Sequence, residues 1–173
     1  PAHVDGILTM VRKLQAEGIR IDGVGIQAHW GLNYPKTEYI EHAIDTLHSL
    51  GVKVMITELD VDVLPITREG QVIGQSLTDP LYQHEEFEEY LDPYKDGLPT
   101  EVEEQLADRY EELFRIFYNR RNKIDRVTLW GLTDNSSWKN GYPVPGRTNY
   151  PLLWNRDYTP HKALESVLTV PHK

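Results

Sequence analysis

The sequence contains no cysteine, which excludes disulfide bonds, thiolate metal sites and a cysteine nucleophile. It also lacks an apolar run long enough to span a membrane, and its N-terminus does not resemble a signal peptide. Basic residues are scarce, since 18 lysines and arginines stand against 27 aspartates and glutamates, for a formal net charge of −9. Such an acidic chain has little with which to neutralise phosphates, so a nucleic-acid partner is not expected.

The composition is that of an ordinary globular domain, and the chain repeats a helix followed by a strand. In the first unit an apolar helical face near the N-terminus precedes a strand at 24–28, and Gly18 ends the helix. In the second unit Thr37 is the expected N-cap of a helix that precedes a strand at 52–58. Both strands are short and largely apolar, as buried parallel strands are.

The third unit begins at residues 100–103, where Thr100 and Glu103 match a capping box, and it ends with a strand at 127–132. A basic cluster at 120–123 is expected to lie at a helix C-terminus rather than to bind an anion. A last amphipathic helix is predicted near 161–169. Repeated units with short links predict a parallel sheet, either an open doubly wound sheet or a closed barrel. Helices of near-equal length and polar strand ends favour the α/β barrel.

Only three strands are predicted, and the chain starts directly with a helix. Because a barrel of this class has eight strands, we expect residues 1–173 to be one piece of a larger domain. Residues 64–99 are predicted to form a long loop insertion, rich in proline and glutamate.

Each predicted strand leads into polar or aromatic residues. The three groups are Gln27 with His29, Glu58 with Asp60, and Trp130 with Asp134 and Trp138. The C-terminal ends of parallel barrel strands meet at one rim, so these groups are expected to converge there. Aromatic faces stack on the apolar C–H faces of sugar rings, while amide, imidazole and carboxylate groups bind hydroxyls. The rim therefore suits a carbohydrate.

Three segments carry a resemblance to a known family. They are Gly-Ile-Gln-Ala-His at 25–29, Ile-Thr-Glu-Leu-Asp at 56–60, and Leu-Trp-Gly-Leu-Thr-Asp at 129–134 followed by Ser137 and Trp138. In this order they resemble the last three strand signatures of glycoside hydrolase family 10. The segments 150–154 and 160–163 also resemble the family's final stretch. The resemblance implies an endo-β-1,4-xylanase with a (β/α)₈ TIM barrel. It also implies that residues 1–173 are the C-terminal portion of this single barrel domain, with roughly the last three strands and their helices.

The resemblance further implies a retaining mechanism with a nucleophile and a general acid/base. The family's nucleophile lies in the Thr-Glu-Leu-Asp segment, so Glu58 takes that role. His29 would donate a hydrogen bond to Glu58, and Asp60 would orient the imidazole. The family's general acid/base lies in a Trp-Asp-x-x-Asn-Glu type segment, which this sequence lacks. It is expected from an upstream part of the same barrel.

The remaining expectations concern the substrate and its surroundings. Gln27 would contact the sugar beside the scissile bond, Trp130 and Trp138 would form the floor and roof of that subsite, and Asp134 is a further substrate contact. The expected partners are xylan or a xylo-oligosaccharide and the N-terminal part of the barrel, with no membrane. The resemblance implies a secreted or cell-surface protein that needs neither a cofactor nor a metal.

Two alternatives stay open at this point. The chain could be a non-catalytic xylan-binding remnant that keeps the aromatic residues, or it could belong to another retaining barrel glycosidase, such as a cellulase. The pairing of Gln27 with His29 and the two tryptophans favour xylan. His3, His161 and His172 carry no signal of function.

Overall fold

A computed structural model describes residues 2–64, 92–142 and 145–172. The helices and strands are, in chain order, α1 (Ala2–Ala16), β1 (Gly23–Ile26), β2 (His29–Gly31), α2 (Thr37–His48), β3 (Lys53–Asp62), α3 (Thr100–Asn119), β4 (Ile124–Leu129) and α4 (Lys162–Thr169). Short 3₁₀ turns cover Asp134–Ser136, Trp138–Asn140 and Val170–His172. Most of the predicted 64–99 insertion, residues 65–91, lies outside the described residues. Within those ranges no helix is both long and apolar enough to cross a membrane.

The sheet is parallel throughout, with β3 at its centre. On one side β3 pairs with β1 and then with β2, and on the other side it pairs with β4. Ala28 separates β1 from β2 because it adopts a positive φ of 70°, in the left-handed region. Helices connect the parallel strands, as in an α/β barrel. The predicted fold class is confirmed.

The core lies between the central strand and the helices. On α2 and α3 the buried residues recur at intervals of three and four, which places them on one helical face. They meet the buried side chains of β3, and the fully buried members are Ile44, Val54, Ile56, Leu59, Val61, Leu106, Tyr110 and Leu113. The Tyr110 hydroxyl donates to the Pro151 carbonyl over 2.6 Å, which ties α3 to the chain that precedes α4.

Both predicted helix caps are wrong. Thr37 is the first residue of α2, where Lys36 holds the N-cap position, and no side chain caps that helix. At α3 the N-cap is Pro99, again without a side-chain hydrogen bond. The Glu103 amide donates to the Pro99 carbonyl, but the Glu103 carboxylate does not fold back onto its own helix. It binds His161 instead, because an imidazole between two carboxylates is a stronger partner than a local amide.

The basic cluster at 120–123 follows directly on the last residue of α3, with Arg120 at the C-cap position, as the sequence predicts. Arg121 donates to a carbonyl in the last turn of α3. Arg120 and Lys123 instead bind Asp45 on α2, with nitrogen–oxygen distances of 3.1 and 2.7 Å. The cluster therefore joins two neighbouring helices.

The outer edges of the sheet are expected to affect the solubility and stability of the isolated chain. Within the described ranges nothing pairs with the free edges of β1 and β4, and no residue of β4 is buried. Unpaired parallel edges recruit other strands. We therefore expect the isolated chain to self-associate in light scattering and to melt without a cooperative transition. A monodisperse, cooperatively melting chain would contradict this prediction.

Candidate active site

A bulge in β3 aims the site's carboxylates. Ile26 pairs with Ile56, but His29 pairs with Asp60, so three residue steps on one strand match four on β3. The pairing with β4 shifts register in the same stretch. Bulges of this kind re-aim side chains next to active sites. Here the result is that Glu58 and Asp60 both reach the imidazole of His29.

The backbone around Glu58 is held from both neighbouring strands. Its amide donates to the Gln27 carbonyl over 2.9 Å, and the Trp130 amide donates to the Leu59 carbonyl over 2.9 Å. The Glu58 side chain remains 23% exposed between these two anchors. Gln27 and Trp130 therefore lie on opposite sides of Glu58, at the rim where the sequence predicts them.

His29 bridges the two carboxylates. Its Nε2 lies 3.1 Å from Glu58 Oε2, and its Nδ1 lies 3.0 Å from Asp60 Oδ2. The Trp138 indole N–H donates to the same Asp60 oxygen over 2.8 Å. The imidazole also meets the Trp138 ring edge-on, with centroids 4.8 Å apart. Asp60 is fully buried, so it acts on Glu58 only through these neighbours.

The charge of His29 follows from this geometry. Burial alone would lower its pKa, but the hydrogen bond and charge of Asp60, and then the hydrogen bond to Glu58, raise the pKa above its ordinary value. A neutral imidazole has one N–H and can donate to only one carboxylate, whereas an imidazolium donates to both. The site therefore favours a protonated His29 that presents an N–H to Glu58.

The aromatic residues form an exposed surface beside these polar groups. Trp130 is 47% and Trp138 37% exposed. Tyr142 stacks on Trp138 with ring centroids 5.1 Å apart and planes inclined by 16°. Tyr142 is itself half exposed and extends the surface beyond the two predicted tryptophans.

Asp134 does not lie where the sequence analysis expects it. Its side chain is completely buried, and it cannot offer an oxygen to a sugar in this structure. One carboxylate oxygen accepts from the Leu152 amide over 2.9 Å, and the other lies 2.6 Å from His161 Nε2. Asp134 instead anchors the loop that carries Trp138, because its carbonyl accepts from the Asn140 side chain over 2.7 Å.

His161, which has no sequence signal, forms a second carboxylate–imidazole–carboxylate group. Its Nδ1 lies 2.6 Å from Glu103 on α3, and its Nε2 contacts Asp134. Burial would lower the pKa of His161, but its contacts with Asp134 and Glu103 raise it. This group joins the starts of α3 and α4 to the loop after β4. The sequence did not reveal this group, because its three residues are far apart along the chain.

Two further buried charges escaped the sequence analysis. Asp62 is 4% exposed and Lys139 is fully buried, and Asp62 Oδ2 lies 3.5 Å from the lysine Nζ. A signal for Asp62 was present, since it continues the alternation of Glu58 and Asp60 along β3. Among the described residues, no set of three or more histidine and carboxylate side chains is arranged to hold a metal ion.

Two relatives found by sequence are both named as endo-1,4-beta-xylanases. Endo-1,4-beta-xylanase A of Xylanibacter ruminicola is 38% identical over 97% of this chain and 44% of its own length. Endo-1,4-beta-xylanase of Geobacillus stearothermophilus is 36% identical over 98% of this chain and 45% of its own length. This chain therefore spans less than half the length of these relatives.

Solved structures agree with the sequence relatives. A GH10 endoxylanase retrieved from a sugarcane soil metagenome matches with a TM-score of 0.81 and 40% identity, over 95% of this chain and 44% of that one. A mutant protein in complex with xylotriose matches with a TM-score of 0.76 and 34% identity, over 97% and 45% of the two chains. The model of glycosyl hydrolase family 10 matches residues 1–170. The chain thus belongs to glycosyl hydrolase family 10, and its parallel strands and helices form part of that family's TIM barrel.

Proposed function

We propose that this chain is the nucleophile-bearing, C-terminal portion of an endo-β-1,4-xylanase that hydrolyses internal xylosidic bonds with retention of configuration. The observation that carries the proposal is the partly exposed Glu58 carboxylate, held 3.1 Å from an imidazole whose other nitrogen is fixed by the buried Asp60. This arrangement keeps one carboxylate oriented and accessible, as a retaining glycosidase requires of its nucleophile.

In the proposed reaction each residue of the site has a separate role. Glu58 attacks the anomeric carbon and forms a covalent glycosyl-enzyme, which water then hydrolyses. His29 holds the attacking carboxylate by its N–H, and Asp60 fixes the orientation of the imidazole. The exposed faces of Trp130 and Trp138 receive the apolar faces of the sugar beside the scissile bond.

The general acid/base comes from elsewhere in the barrel. A retaining pair needs a second carboxyl about 5–5.5 Å from the first, facing the leaving group. Asp60 cannot serve, because it is fully buried and accepts hydrogen bonds from His29 and Trp138. We propose that an upstream segment, which completes the single barrel domain, supplies this residue. The insertion at 64–99 belongs to the same domain.

Xylan is the substrate that we propose, and its β-1,4-linked xylosyl units would contact Gln27 and the two tryptophans. Two observations favour it over cellulose. Two similar proteins, 38% and 36% identical, are named endo-1,4-beta-xylanases, and a 34% identical neighbour was solved with xylotriose. A secreted or cell-surface location would bring the protein to this polymer.

The test uses the completed barrel, by which we mean this chain together with an upstream family 10 segment that carries the general acid/base. The reagent is a 2-fluoro-xylobioside with a dinitrophenyl leaving group, which departs without protonation. Labelling therefore depends on the nucleophile and not on the general acid. Intact mass, followed by peptide mapping, is expected to place one glycosyl adduct on Glu58.

The outcomes separate the remaining candidates. An adduct on Glu58 supports a retaining xylanase, and faster labelling by the cellobioside analogue would favour a cellulase instead. An adduct on another carboxylate would overturn the assignment of the nucleophile. Complete absence of labelling, with xylo-oligosaccharide binding retained in calorimetry, would favour a non-catalytic binding remnant.

A further inference from the structure

Three acidic residues on one face of β3 form the carboxylate row, which consists of Glu58, Asp60 and Asp62. Residues at alternate positions of a strand lie about 7 Å apart, so three ionised carboxylates repel one another. His29 compensates the first two. Asp62 accepts a hydrogen bond from the Asn149 amide over 2.9 Å, but this neutral contact leaves its charge unbalanced.

Lys139 lies beside that end of the row, next to Asp62. Its side chain is fully buried, with Nζ 3.5 Å from Asp62 Oδ2 and 5.0 Å from the centre of the Trp138 ring. Among the described residues Nζ has no hydrogen-bond partner. A buried ammonium is costly unless nearby charge compensates it. The negative charge of the carboxylate row therefore stabilises the buried ammonium group of Lys139.

The charge of Lys139 also acts on His29, which holds Glu58. Lys139 lowers the pKa of His29, whereas the contacts with Asp60 and Glu58 raise that pKa. Asp60 Oδ1 is buried and, within the described ranges, has no hydrogen-bond partner, so nearby cations matter for its charge.

Two tyrosines also lie within reach of the row's charge. Burial, Asp62 and Asp60 raise the pKa of Tyr34, and burial and Asp60 raise that of the fully buried Tyr110. Both phenols stay neutral and add no charge.

We propose that Lys139 is a positioning residue of the Glu58 site, a buried cation that balances the inner carboxylates of the row. With His29 protonated, two cations face three carboxylates, and one negative charge is left over. Glu58 is the member at which that charge meets the substrate, because its side chain is 23% exposed while Asp60 and Asp62 are 0% and 4% exposed. The role of Lys139 thus rests on the proposed function of Glu58.

The test compares Lys139→Met with Lys162→Met in the completed barrel. Methionine fills a similar volume without the charge, and Lys162 is a half-exposed lysine paired with Glu104. The imidazole of His29 is titrated by NMR with histidine labelled at Cε1, and its signal is assigned by its loss in His29→Gln. Loss of a nearby cation favours protonation, so Lys139→Met is expected to raise the His29 midpoint by about one pH unit. Lys162→Met is expected to leave it unchanged.

A second variant separates charge from packing. Lys139→Met combined with Asp62→Asn removes one cation and one anion, so the His29 midpoint is expected to return towards the wild-type value. An unchanged midpoint in a folded Lys139→Met protein would overturn the proposal. If Lys139→Met fails to fold, folding of the double variant would support charge balance, and failure of both would show that the lysine acts by packing.

Labelling by the fluoro-xylobioside gives a readout of the reaction itself. The alkaline limb of the labelling rate is expected to move to higher pH in Lys139→Met, because His29 then keeps the proton that it presents to Glu58 up to a higher pH. An alkaline limb at the wild-type position would count against the proposal. The titration of His29 does not depend on turnover. A completed barrel that forms no adduct on Glu58 would therefore contradict the proposed function, but the charge balance could still be tested by this titration.

Discussion

Glu58→Ala in the completed barrel is expected to lower kcat on xylan by about 10⁵-fold or more, because no other described carboxylate can attack the anomeric carbon. Asp60 is buried beneath His29 and cannot replace it. The fold should be unaltered, since Glu58 is partly exposed and its backbone is held by hydrogen bonds from both neighbouring strands. Reducing-sugar release and circular dichroism measure the two effects.

Restoring the activity of Glu58→Ala with azide would show that the missing side chain is a nucleophile. Azide can enter the space that the missing carboxylate leaves and attack the anomeric carbon of an activated aryl xylobioside, with dinitrophenolate departing. Its product would have the inverted configuration, because one displacement replaces two. Glu104→Ala, at an exposed position on α3, is the matched control and should keep full activity. Normal turnover of Glu58→Ala on xylan would refute the assignment.

Binding distinguishes loss of chemistry from loss of the cleft. The stacking surface of Trp130 and Trp138 does not involve the Glu58 side chain, so Glu58→Ala should bind xylotriose with nearly unchanged affinity in calorimetry. A large loss of affinity would instead place Glu58 among the residues that hold the substrate in its ground state.

The strands and the rim were accessible from the sequence because their signals are local. Apolar runs ending in polar residues mark β1, β3 and β4, although the structure extends β3 to Asp62 and ends β4 at Leu129. The bulge that turns Glu58 towards His29 was not accessible. It depends on a mismatch of register between strands that are far apart in the sequence, which no periodicity within one strand can reveal.

The positions of Asp134 and His161 could not be predicted from local sequence patterns. A polar residue after a barrel strand is expected at the rim, and Asp134 satisfies that pattern although it is fully buried. Its position depends on the contact with His161, 27 residues later, and nothing in the sequence pairs these two residues. Long-range polar contacts of this kind are set by tertiary packing, so the sequence supplied the residue types without their partners.

His161→Ala is expected to destabilise the completed barrel by about 3–5 kcal/mol, because it leaves the buried Asp134 and the partly buried Glu103 without their shared cation. His42→Ala removes an exposed histidine from α2 and should change stability by less than about 0.5 kcal/mol. Thermal unfolding followed by calorimetry measures both. Equal, small effects in the two variants would show that the buried group adds little to stability.

The pH dependence of that difference tests the charge of His161. Contacts with Asp134 and Glu103 raise the pKa of His161 in the folded protein, so its stabilising contribution is complete below the ordinary histidine value of about 6.5. The contribution is lost as pH rises through the raised folded value. The gap in melting temperature between wild type and His161→Ala should therefore be widest near pH 6 and narrow towards pH 9. A gap that does not change over this range would mean that a neutral imidazole links the two carboxyl groups.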